Sequence, residues 1–148
     1  MTSSQADPHA ASGPLVVVDD SAEELRLARA CFERSSWSGE IVALGSGRDL
    51  LDHLDAVERG EAPMPAAVLL DANMPGMSGL ETLRALRSRE RFARLPVVVV
   101  FSASDNPDHA REAETLGADA YQTKPERLKD YVAFLDHVAT IEPRASMA

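Results

Sequence analysis

Residues 68–79 read VLLDANMPGMSG. Three apolar residues run straight into one carboxylate, Asp71, and a proline- and glycine-rich turn follows at once. A buried carboxylate is costly unless it is paired or bound to metal. An acid at the end of a buried strand therefore implies a partner elsewhere in the chain, or a task that offsets the cost. Short apolar runs with a β-branched bias recur around it, at Leu15–Val18, Ile41–Leu44, Ala67–Leu70 and Val97–Phe101, with a weaker one at Ala120–Gln122. Continuous rather than alternating apolar runs indicate a parallel sheet covered on both faces.

Segments of helical period separate these runs. Leu25, Ala28 and Phe32 share a face, as do Leu50, Leu51 and Leu54, and as do Leu80, Leu83 and Leu86. The last segment carries Leu128, Val132, Leu135 and Ala139 as an inward stripe. Tyr131, Phe134 and Val138 form a second apolar face there, which suggests a partner surface. Strict alternation of strand and helix predicts an α/β fold with a doubly wound parallel sheet of five strands and five helices. Asp20-Ser21 precedes the first helix, with Glu23 and Glu24 in its opening turn, where carboxylates suit the helix dipole. The stretch GSGRDLLDHL (45–54) lacks the third glycine of a dinucleotide fingerprint and follows the second strand rather than the first, so it reads as a loop and a helix start.

Composition narrows the class. The chain has 148 residues, 45% of them apolar, which suits one domain with a proper core. No 18-residue apolar run is present to span a membrane. The single cysteine, Cys31, reads as a small buried hydrophobe and agrees with a reducing, cytoplasmic setting. A net charge of −9 argues against non-specific nucleic-acid binding, which depends on Lys and Arg. Residues 1–14 are polar and small, without the features of a signal peptide, and read as a disordered lead-in. His9, His53, His109 and His137 fall in separate segments with no zinc-type spacing, and Trp37 in SSWSGE is expected to pack against the body.

In open parallel sheets ligands bind at the carboxyl ends of the strands. Those ends carry Asp19 and Asp20, then Asp71, then Ser102, then Lys124-Pro125. Two unit negative charges about 4 Å apart repel by roughly 4 kcal/mol at an effective dielectric near 20. Lys124 offsets one charge, and a hard divalent cation with oxygen ligands, of which Mg²⁺ is the obvious case, would offset the others. Beside such a cation, Asp71 is a candidate nucleophile able to form an acyl phosphate.

VVVDD, LLDANMPGMSG, FSAS and YQTKP, in this order, resemble the receiver domain of two-component response regulators. The resemblance implies the flavodoxin-like strand order 2-1-3-4-5, a receiver over residues 15–141, a tail over 142–148 and no output domain. It implies that Asp71 accepts a phosphoryl group from a sensor histidine kinase. Asp19, Asp20 and Asp71 would hold Mg²⁺, joined by the backbone carbonyl of Asn73. Lys124 would contact the phosphoryl oxygens, the bond to Pro125 would be cis, and Ser102 and Tyr121 would form the switch. Such a protein is no enzyme beyond its own Mg²⁺-dependent phosphorylation and dephosphorylation. Its signal passes to a downstream protein target or a phosphotransfer protein, and the second face of the last helix suggests a homodimer. ERGEAPMPA (58–66) and the segment 101–125 resemble stand-alone receivers that accompany bacterial phytochrome kinases. A haloacid-dehalogenase-type phosphatase would need an acid where Asn73 stands. A phosphorylation-independent pseudo-receiver that works as a binding module is the other alternative.

Overall fold

The computed structural model describes residues 13–143. The tail assignments for residues 1–12 and 144–148, and His9, lie outside the described residues. Five strands, β1 (Leu15–Val18), β2 (Ile41–Leu44), β3 (Ala67–Asp71), β4 (Val97–Ser102) and β5 (Ala120–Thr123), alternate with α1 (Ala22–Arg34), α2 (Gly47–Glu58), α3 (Gly79–Arg87), α4 (Pro107–Thr115) and α5 (Leu128–Val138). A short 3₁₀ turn, Glu90–Phe92, precedes β4. The strands pair in parallel in the order β2-β1-β3-β4-β5, as expected.

Successive strand residues point to opposite faces, and both faces are covered. Leu15, Val17, Leu69, Val97, Val99 and Phe101 meet α1 and α5 on one side. Val16, Val18, Val68, Leu70, Val98 and Val100 meet α2 and α3 on the other, with Ala113 of α4. This two-sided burial is why β1 is apolar throughout and β3 and β4 are apolar up to their last residues, Asp71 and Ser102. Cys31 is fully buried in the first cluster, and burial pushes its thiol pKa up. Ser46 caps α2 and Gly47 opens it, so the glycine-rich stretch is a helix start. A Cβ on Gly47 would fall 2.0 Å from Thr82 Oγ1, so this glycine lets α2 approach α3 closely.

Two expectations are corrected. Tyr131, Phe134 and Val138 are 2%, 7% and 1% exposed and form the inward face of α5, together with Leu135. Leu128, assigned to the inward stripe, is 41% exposed. Apolar residues cover enough of this helix that periodicity alone leaves its rotation open, and packing against α1 sets it: Tyr131, Phe134, Leu135 and Val138 share one buried cluster with Ala28, Cys31 and Phe32. The Lys124–Pro125 bond is not cis. Among the described residues the one cis peptide bond is Leu95–Pro96. The two X-Pro isomers lie within about 1 kcal/mol, so tertiary context decides which one is adopted.

Candidate phosphoacceptor site

The register carries Asp71 and Ser102 to the last rungs of their strands, Asp71 beside Phe101 and Ser102 beside Thr123. Each is nearly closed to solvent, at 4% and 1% exposure. The chain then turns away, with the Ala72 N–H donating to the Phe101 carbonyl (3.0 Å) and the Gly79 N–H to the Ala72 carbonyl (3.0 Å). Gly76 takes the left-handed conformation in this turn (φ +78°). Ser78 and Glu81 close a reciprocal capping box at the start of α3. Gly79 is required by proximity, since a Cβ there would fall 2.0 Å from the Asp71 carbonyl oxygen.

Asp19, Asp20 and Asp71 converge, each offering one carboxylate oxygen within 4.8 Å of the others. Asp19 is buried and Asp20 exposed. The Ser21 N–H donates to Asp19 Oδ1 (2.9 Å), while Lys124 Nζ lies 3.2 Å from Asp19 Oδ2 and 3.5 Å from Asp71 Oδ1. The Lys124 ammonium also sits 5.2 Å from the centre of the Phe101 ring. The Asn73 N–H donates to Asp71 Oδ1 (3.3 Å), and among the described residues Asp71 Oδ2 receives no donor.

Burial first, and the Asp19 carboxylate second, hold the Asp71 carboxyl above its ordinary range; Lys124 and the Asn73 N–H pull the other way without prevailing. For Lys124, burial works against the charged form, but the attraction of Asp71 and Asp19 outweighs it and the pKa is raised. One ammonium thus leaves negative charge in excess. An all-oxygen, under-compensated set of three acids suits a hard divalent cation, so these residues fit the expected Mg²⁺.

Around Ser102 the network extends further than the sequence suggests. Ser102 Oγ accepts from the Ser104 N–H (3.1 Å), and the Tyr121 hydroxyl donates to the Ser104 carbonyl (2.8 Å). Ser104 Oγ accepts from the Asn106 N–H (3.1 Å) and pairs with His109 Nδ1 at 2.7 Å. A cleft of about 230 Å³ opens here, lined among others by Asn73, Ser102, His109 and Tyr121. His109 was not legible as part of this site, because nothing in its spacing pairs it with Ser104.

The family described as the response regulator receiver domain matches residues 15–136. Response regulator Rcp1 of Synechocystis sp. is 31% identical over 119 residues, covering 78% of this chain and 79% of Rcp1. The crystal structure of response regulator RPA3017 in red light signalling of R. palustris superposes with a TM-score of 0.78 at 31% identity, over 90% of this chain and 99% of that one. The Mn²⁺-bound form of Rcp1 gives a TM-score of 0.74 at 27% identity, over 90% and 99%.

Proposed function

The chain belongs to the response regulator receiver family, and from that membership we propose that it accepts a phosphoryl group on Asp71 from the phosphohistidine of a sensor kinase. The observation that carries this reading is the Asp71 carboxylate, buried at a strand end with Lys124 3.5 Å away and one oxygen that no donor among the described residues reaches. In the transfer, Asp71 Oδ2 forms a bond to phosphorus as the P–N bond to the kinase histidine breaks, and the electron pair leaves with the imidazole. Asp19, Asp20 and Asp71, with the Asn73 carbonyl, would hold Mg²⁺, which supplies counter-charge for the phosphoryl oxygens when bound. Lys124 supplies the fixed positive charge on the same side. Phosphorylation replaces one negative charge by roughly two and adds three acceptor oxygens. Ser102, whose hydroxyl accepts from the Ser104 N–H and donates to no acceptor among the described residues, then has an acceptor to turn toward.

The likeness to a red-light signalling response regulator supports a bacteriophytochrome as the kinase and a cytoplasmic setting. Among the described residues no helix is long and apolar enough to cross a membrane. The output is a changed protein-interaction surface, read by a downstream protein or a phosphotransfer protein, with catalysis confined to the protein's own phosphate. Self-association through the α4–α5 face would engage Leu128, the large apolar side chain that α5 leaves exposed. Leu128→Glu should then lower the mass found by light scattering to that of one chain. An unchanged mass would remove that face from consideration.

The decisive test is intact mass after incubation with acetyl phosphate and Mg²⁺. The expected result is one added phosphoryl group, absent in Asp71→Asn and absent with EDTA. Failure to take up phosphate from any donor, together with failure to bind beryllofluoride, would leave the pseudo-receiver reading.

A further inference from the structure

The two helices that flank β5 are held very differently. α5 is fastened to α1 and the loop after it: Trp37 Nε1–H donates to the Leu135 carbonyl (2.7 Å), the Ser36 N–H donates to Asp136 Oδ1 (2.7 Å), and Tyr131, Phe134, Leu135 and Val138 are buried. α4 buries one residue, Ala113. A helix with so little apolar anchorage is drawn from the low-stability end of a fold, and the contacts at its N-terminal end help to place it.

Those contacts converge on Ser104. Its N–H is given to Ser102, and its carbonyl is taken by the Tyr121 hydroxyl and, more distantly, by Thr123 Oγ1 (3.4 Å). Its side chain faces the other way, accepting from the Asn106 N–H at the N-cap of α4 and pairing with His109 inside the helix. One residue therefore has its backbone bound to both proposed switch side chains and its hydroxyl bound to α4. We propose that the Ser104–His109 pair is the tie through which a change at Asp71 reaches α4, with His109 acting as the residue that positions α4 relative to the Ser102–Tyr121 switch. The proposal deepens the phosphoacceptor reading and rests on it.

The chemistry of the pair suits a permanent tie. A hydroxyl has one donor and two acceptor lone pairs. With the Asn106 N–H occupying one lone pair, Ser104 Oγ can donate to a bare Nδ1 or accept from a protonated one. The contact therefore survives either tautomer and either charge state of His109. Both residues lie toward solvent, Ser104 half-buried and His109 exposed, so truncation leaves the core untouched.

The experiment is amide NMR of the full chain, with and without beryllofluoride and Mg²⁺. In the wild type, amides of residues 102–104 and of residues 110–115 should both move. In His109→Ala and in Ser104→Ala the first group should still move, while the shifts of the second fall about five-fold, the scale set by loss of one neutral hydrogen bond. The double variant should add nothing to either single one, as expected for partners in one contact. His109→Asn, whose amide can donate or accept near the Nδ1 position, should restore the α4 response. Equal α4 shifts in wild type and His109→Ala would overturn the tie while leaving the phosphoacceptor reading intact. Absence of any response in the wild type would overturn that reading and the tie with it.

Discussion

At the scale of the residue, Asp71 carries an electrostatic debt that the fold settles only in part. Its carboxyl binds a proton more tightly when folded than when unfolded, because burial and Asp19 raise its pKa from the ordinary 3.8. Over the interval between 3.8 and that raised value, the folded state holds more protons, so metal-free stability falls as pH rises. The favourable contribution is complete below 3.8 and lost as pH climbs through the folded value. In EDTA at pH 7, Asp71→Asn should therefore melt a few degrees higher than the wild type, and the gain should vanish in acid. Lys124 keeps Asp19 as a partner in that variant. Mg²⁺ should stabilise the wild type by mass action and the Asn variant much less. A variant that melts at or below the wild type in EDTA would show that Lys124 already compensates the site in full.

The element that matters most is the turn from β3 to α3. Asp71, the Ala72 hydrogen bonds, the Gly76 turn and the Ser78–Glu81 capping box fix where the strand stops and the helix begins. Gly79 sits where any side chain would meet the Asp71 carbonyl and the Ala72 Cα, the latter at 2.8 Å. Backbone atoms cannot step aside as a flexible side chain can, so Gly79→Ala should cost about 1–3 kcal/mol by overpacking. It should also slow phosphoryl uptake, since Asp71 must shift to relieve the clash. Urea unfolding and uptake from acetyl phosphate would measure the two effects. Unchanged values for both would mean that the loop relaxes freely.

Across the whole molecule, the end of the sheet opposite Asp71 is closed by a second charged group. Arg87, at the end of α3, gives Nε–H to the Gly117 carbonyl (2.9 Å), Nη1–H to the Phe92 carbonyl (3.1 Å) and Nη2–H to Asp119 Oδ2 (3.1 Å). Asp119 Oδ2 also accepts from the Val98 N–H (2.8 Å), so α3, the 3₁₀ turn, β4 and the approach to β5 meet at one ion pair. The side chains are 8% and 1% exposed. Removing one partner strands the other charge in the interior, and Asp119→Ala should lose about 3–5 kcal/mol in urea unfolding. A loss below about 1 kcal/mol would reduce this clasp to the standing of a surface pair.

Much of this was legible in the chain because it rests on local chemistry. Apolar runs at 15–18, 67–70 and 97–101 can only be strands buried on both faces, and the acids that follow them must share the end where the strands emerge. Asp19, Asp20, Asp71 and Ser102 follow from that ordering, and Lys124 from the weaker run at 120–122. The rotation of α5, the isomer of the bond before Pro125 and the tie between Ser104 and His109 did not follow. Each depends on an energy difference too small, or a contact too distant, for local sequence to determine: an apolar helix with two possible faces, two proline isomers close in energy, a serine and a histidine with no diagnostic spacing. Sequence determined which groups reach the carboxyl edge, because strand patterning and register are strong. Packing decided which way the last helix turned and what holds α4, because there several arrangements satisfy the same pattern and only the neighbours discriminate among them.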